Sequence, residues 1–223
     1  MWRKNVEEKL LRMSNLHNLR NLHNLRNLHN LRTLLRLAIF ASGAGSNARQ
    51  IIEFFRGSPE RKVVLIVSNK RQAGVLDIAR EYGIPTYVID RQAFYETQEV
   101  LSALREHQVD FIALAGFLWL IPTYLIQAFP RKIVNIHPAL LPKFGGQGMY
   151  GLHVHTAVKA AGETETGMTI HLVDDHYDAG DIVFQARCPV GPEDTPTDIA
   201  QRVLVLEHAH YPIIIKRIMN DEF

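Results

Sequence analysis

An asparagine and a histidine two residues apart, Asn135 and His137, close the run Val134-Asn135-Ile136-His137-Pro138. The β-type residues before them read as a strand, where side chains two apart share a face. An amide and an imidazole can therefore converge on one small group. Pro138 and Pro142 stop the strand and stiffen its exit, which suits a fixed constellation. An ordinary structural strand end presents the same pair, so the choice rests on what else the chain supplies. One candidate is the polar loop 173–181, which holds Asp174, Asp175, Asp178 and Asp181. Its spacing lacks the EF-hand pattern and that pattern's closing Glu, so calcium is disfavoured. A carboxylate of this loop meeting His137 is the more economical expectation.

A second candidate is Ser42-Gly43-Ala44-Gly45-Ser46-Asn47, between an apolar strand at 37–41 and a helical run at 48–55. Strand, Gly-rich turn and helix offer backbone N–H groups and a helix dipole to an anion, with Ser46 or Asn47 expected to cap the helix. The full G-x-G-x-x-G pattern and the Gly-Lys-Ser/Thr of a P-loop are both absent. The next strand, 62–67, ends at Ser68-Asn69 rather than at an acid for an adenosine ribose. A monophosphate fits better than a dinucleotide, and a merely structural tight turn is the competing reading.

The elements that must position these residues alternate. A helix near 73–82, a strand at 86–89, a helix near 94–106 and a strand at 111–115 follow in turn. Hydrophobic strands separated by helices predict an α/β fold with a mostly parallel central sheet covered on both faces. Such sheets bind ligands at the carboxyl ends of their strands. That rule sets the 43–47 loop, the segment 116–121 and Asn135-Ile136-His137 along one rim, with Trp119 either walling an apolar pocket or filling the core. Four glycines fall between residues 145 and 151, marking a flexible or closely approached loop. His153 and His155 then open a helix, and their i, i+2 spacing disfavours a helical metal pair. Strands at 166–172 and 182–188 follow. Thr195-Pro196 caps a long final helix on which Ile199, Val203 and Leu206 face inward.

The chain has 223 residues, 47% of them hydrophobic, enough for one domain with a substantial core. The single cysteine, Cys188, can close no intramolecular disulfide and lacks the partners of a Cys-rich zinc site, which points to a reducing, cytoplasmic setting. No apolar run reaches the ~18 to 20 residues that a bilayer span needs, so no membrane partner is expected. Asn-Leu-His-Asn-Leu-Arg occurs three times between residues 15 and 32. Leucine every third residue drifts around a helix, and Asn is a poor helix former. Residues 1–34 therefore read as a poorly ordered basic tail ahead of a catalytic domain at 35–223. The tail holds seven of the 25 Lys and Arg and two of the 23 Asp and Glu, leaving the remainder slightly acidic, so no nucleic-acid partner is expected. Oligomeric state is not legible.

Together these segments resemble the glycinamide ribonucleotide (phosphoribosylglycinamide) formyltransferases of purine synthesis, the folate-dependent type with a Rossmann-like fold. The resemblance spans residues ~36 to 219. It rests on the loop Ser42-Gly43-x-Gly45-Ser46-Asn47, on Ala115-Gly116-Phe117, on Asn135-Ile136-His137-Pro138 with Leu140-Leu141-Pro142, on Tyr177-Asp178-x-Gly180, and on Glu207-His208-Ala209-x-Tyr211-Pro212. It implies Asn135, His137 and Asp178 as the catalytic trio and Gly45, Ser46 and Asn47 as a phosphate cradle. Glu207 is implied to hold the substrate ribose. Leu118, Trp119, Leu120 and Ile121, with Asn135, are implied to contact 10-formyltetrahydrofolate, the co-substrate, with no metal required. In this scheme Asp178 favours the imidazolium of His137, raising its pKa.

Three departures from the family pattern stand out. Leu118-Trp119-Leu120 replaces a common Met-Arg-Ile, Thr97 falls where an arginine is frequent, and residues 145–149 lengthen the loop after the catalytic strand. The competing readings are a methionyl-tRNA formyltransferase, a formyltetrahydrofolate deformylase-like hydrolase, and a catalytically silent phosphoribosyl-ligand sensor. The first calls for a further C-terminal tRNA-binding domain and the second for an N-terminal regulatory one. The third is at odds with the retained trio.

Overall fold

The structure, a computed structural model, describes residues 34–223. The expectation of a disordered repeat tail therefore falls, except for Leu34, outside the described residues. Seven strands form one sheet: β1 (Leu35–Phe40), β2 (Arg61–Ser68), β3 (Thr86–Val88), β4 (Phe111–Leu114), β5 (Ile133–His137), β6 (Glu165–Leu172) and β7 (Ile182–Pro189), in the order β3-β2-β1-β4-β5-β6-β7. The first five are parallel, and β6 and β7 are added antiparallel.

The helices are α1 (Ser46–Phe55), α2 (Gly74–Glu81), α3 (Arg91–Glu96), α4 (Glu99–Glu106), α5 (Thr123–Ala128), α6 (Leu152–Ala160) and α7 (Pro196–Ile218). The alternation of β1 explains the layering. Leu37 and Ile39 face a core shared with α1, α2, α6 and α7, while Ala38 and Phe40 face another built with α3, α4 and α5. Both sets are buried, which is why the strand reads as an unbroken apolar run. No helix among the described residues is long and apolar enough to cross a membrane.

Two expectations need correction. The helix expected near 94–106 is two helices, because the Thr97 hydroxyl donates to the Ala93 carbonyl (2.8 Å) and accepts from the Glu99 N–H (3.2 Å), ending one helix and starting the next. Neither Ser46 nor Asn47 caps α1. Gly45 holds the N-cap position at φ +83°, and both are first-turn residues. A Cβ on Gly45 would lie 2.8 Å from Cβ of Val75 in α2, so the turn and the helix contact both need glycine there.

The chain order reverses between β1 and β4, so the loops after these two strands open a crevice at the sheet's carboxyl edge. α7 lies over that region and is anchored at both ends of its length. Thr195 and Asp198 form a reciprocal capping box at its start. Farther along, the fully buried Tyr211 shares its hydroxyl proton between the carbonyls of Leu114 (2.8 Å), the last residue of β4, and Val134 (3.2 Å), the second residue of β5.

Candidate active site

The antiparallel pairing of β5 with β6 sets Asn135 opposite His171 and His137 opposite Thr169. Polar side chains two apart on one strand thus meet polar side chains two apart on the next, inside an otherwise apolar sheet. The Thr169 hydroxyl donates to the Ala139 carbonyl (2.7 Å) and accepts from the Leu141 N–H (3.0 Å), fixing the turn that leaves His137. His171 Nδ1 faces the Leu172 carbonyl at 2.9 Å, so that nitrogen carries a proton. Asn135 Nδ2 lies 3.1 Å from His171 Nε2.

Asp178 reaches this pair from the loop between β6 and β7, in a left-handed backbone conformation (φ +55°) that Asp tolerates better than most residues. Its Oδ1 accepts from Asn135 Nδ2 at 3.4 Å and lies 3.5 Å from His171 Nε2, while its Oδ2 lies 3.4 Å from His137 Nδ1. Oδ2 also accepts the Gly146 N–H at 2.9 Å. The other imidazole nitrogen of His137, Nε2, sits 2.8 Å from the Phe144 carbonyl. Both nitrogens of His137 therefore face acceptors, and His137 is only 3% exposed.

Burial dominates the titration of His137 and pushes its pKa below the ordinary value. Asp178 and the Phe144 carbonyl pull it upward without offsetting the burial, and His171 adds a further downward push. This corrects the expectation of a raised pKa: the carboxylate acts in the expected direction, but desolvation is larger. For Asp178, burial raises the pKa. The neighbouring His171 and His137 rings and the Gly146 N–H together outweigh it and hold the carboxyl below its usual range.

The trio opens on a cavity of about 320 Å³. Leu118, Trp119, Leu120 and Ile121 line it, as do Asn135, His137 and Asp178, and the inserted residues Gly146 to Met149 form part of its wall. Trp119 does both things expected of it. It lines the cavity and packs on Phe94, Tyr95 and Phe117 with ring centroids 5.6 to 6.2 Å apart. The Leu120 peptide is held from two sides: its N–H donates to the Tyr177 hydroxyl (3.1 Å), and its carbonyl accepts the Tyr95 hydroxyl (3.0 Å).

The 43–47 loop borders a separate cleft of about 450 Å³, lined by Ala44, Ser46, Arg49, Gln50 and His208 among others. The first N–H groups of α1 have no acceptor within the helix. Arg49 is not a free cation, because Glu81 takes its guanidinium in a bidentate pair at 2.7 and 2.8 Å. Asn47 donates to Glu207 at 2.6 Å across 160 residues of sequence, so two of the expected substrate contacts meet. Burial raises the pKa of Glu207 and the Asn47 bond lowers it, the net shift being upward. Gly45 shapes the start of α1 from behind and lines neither cavity.

Sequence reasoning missed His171, the Phe144 carbonyl, the Gly146 N–H and the two tyrosines on Leu120. Only His171 left a readable signal, as the polar partner of Thr169 in an apolar strand. His153 is not buried and meets Tyr150 edge-on, whereas His155 is 4% exposed, and the two form no pair. Among the described residues the one grouping with metal-ligand spacing is Asp174, Asp175 and His176, on the loop before Asp178.

A sequence profile described as "Formyl transferase" matches residues 35–215. A chloroplastic phosphoribosylglycinamide formyltransferase of Arabidopsis thaliana is 45% identical over 83% of this chain, which spans 66% of that protein's length. The phosphoribosylglycinamide formyltransferase of Bacillus subtilis is 36% identical, with 83% of this chain and 95% of that one aligned. Among solved structures, a phosphoribosylglycinamide formyltransferase from Anaplasma phagocytophilum superimposes with a TM-score of 0.76 at 38% identity, covering 84% of this chain and 87% of that one.

Proposed function

The chain belongs to the formyl transferase family, and we propose that it moves the formyl group of 10-formyltetrahydrofolate to the glycine amine of 5'-phosphoribosylglycinamide, a step of purine synthesis. The observation that carries this reading is the convergence of Asn135, His137 and Asp178 on the wall of a cavity with mixed polar and apolar lining, beside a second cleft at a helix N-terminus.

The amine attacks the formyl carbon and a tetrahedral oxyanion forms. Asn135 Nδ2 divides its two protons between His171 and Asp178. The 3.4 Å contact to Asp178 is the weaker, so that proton turns to the oxyanion at little cost. His137, protonated, shares the developing charge and then supplies a proton to the departing folate nitrogen, directly or through a water. Asp178 orients the ring and offsets part of the desolvation that works against the imidazolium. No covalent intermediate and no metal enters this scheme.

The folate occupies the 320 Å³ cavity against Leu118, Trp119, Leu120 and Ile121. The phosphate lies on the first N–H groups of α1, at Ser46 and Asn47 behind the Gly45 turn. Glu207 exchanges its Asn47 bond for the ribose hydroxyls. The test is a formyl-transfer assay on the purified full chain, with phosphoribosylglycinamide and either 10-formyltetrahydrofolate or formate with ATP. Product from the folate alone supports the proposal. Binding of phosphoribosylglycinamide without turnover would make the chain a sensor, and formate release without the amine would make it a deformylase.

A further inference from the structure

The loop that follows β5 touches both members of the acid–base pair through its main chain. The Phe144 carbonyl lies 2.8 Å from His137 Nε2, and two residues later the Gly146 N–H lies 2.9 Å from Asp178 Oδ2. A side chain on the residue between them would have to displace its neighbours, one of them Asp178. A Cβ on Gly145 would stand 2.5 Å from Cδ2 of Leu141 and 3.2 Å from Cβ of Asp178. Phe144 is also held at φ +58°, a left-handed conformation that is unfavourable for a bulky residue and persists only where its surroundings enforce it. Those surroundings are visible, since its ring packs on the core that carries Ile136 and Met168.

Resting on the reading of His137 and Asp178 given above, we propose that the Phe144–Gly146 backbone is a positioning clamp for the catalytic pair. Its carbonyl keeps a proton on Nε2 of His137, its N–H keeps Oδ2 of Asp178 turned toward Nδ1, and Gly145 is glycine because a side chain would wedge the two apart. The clamp makes Nδ1, the nitrogen at the looser 3.4 Å contact, the one whose proton is exchanged during turnover. It also accounts for residues 145–149: the loop is tied to the site at its root, and the remainder of it walls the cavity.

The clamp is testable without turnover. The ¹⁵N shifts of His137 in the ligand-free full chain report which nitrogen keeps its proton when the ring is neutral. The expected form is Nε2–H, and an Nδ1–H tautomer overturns the proposal. In Gly145→Ala the Nε2–H preference is expected to weaken, with kcat falling about 10- to 100-fold and its pH profile displaced. Gln147→Ala, on the same loop but outside the clamp, is expected to leave the ¹⁵N shifts unchanged. A folded Gly145→Ala whose shifts and pH profile overlay the parent's contradicts the clamp. A parent with the expected tautomer but no formyl transfer would leave the clamp standing and remove the catalytic reading instead.

Discussion

His137 is held between two opposing influences, and the balance between them is open to measurement. Its charged form is disfavoured by burial and favoured by Asp178. If His137 acts as a proton donor, turnover declines as pH rises through its folded pKa, which lies below the ordinary 6.5. Asp178→Asn removes the upward pull, so the protonated form is lost at a still lower pH. The descending limb of the kcat profile should move toward acid, and the rate near pH 7 should drop by about 10²-fold. A profile that stays in place would show that Asp178 does not act through the imidazole. At this scale the sequence was informative where chemistry depends on spacing along one strand, as with Asn135 and His137. It was silent where partners are main-chain atoms. The Phe144 carbonyl and the Gly146 N–H carry no residue-type signature, and the net direction of the His137 shift depends on burial that only packing reveals.

At the scale of elements, hydrophobic runs and turn residues located most strands closely, and the errors have local causes. α5, six residues after Pro122, was too short and too ambiguous in period to be read. The antiparallel addition of β6 and β7 depends on long-range pairing, yet it is this pairing that brings His171 to Asn135. α1 illustrates a different limit. Its N-terminus read as a candidate anion site or a structural tight turn, and the residue that shapes it is Gly45 against Val75 rather than a polar cap. Gly45→Ala forces a Cβ into that contact at an unfavourable φ and so displaces the first turn. We expect the KM for phosphoribosylglycinamide to rise roughly tenfold, equivalent to ~1.4 kcal/mol of binding, while the KM for the folate changes little. Equal changes in both constants would remove the phosphate from α1.

At the scale of the whole catalytic unit, two cavities with no shared lining residue flank one rim of a single sheet. The trio stands on the wall of one, and α7 ties the arrangement together. Glu207 meets the start of α1 through Asn47, and one turn later Tyr211 bonds to the carbonyls of Leu114 in β4 and of Val134, next to Asn135, in β5. A donor and an acceptor bound in such neighbouring cavities can be brought together without a covalent carrier, which leaves the proton transfer to His137. The decisive measurement is kcat for formyl transfer from 10-formyltetrahydrofolate to phosphoribosylglycinamide in the full chain and in His137→Ala. Turnover by the parent and a loss of about 10³-fold in the variant are expected, with the folded state and phosphoribosylglycinamide binding retained. A variant that turns over within a few-fold of the parent would contradict this role of His137.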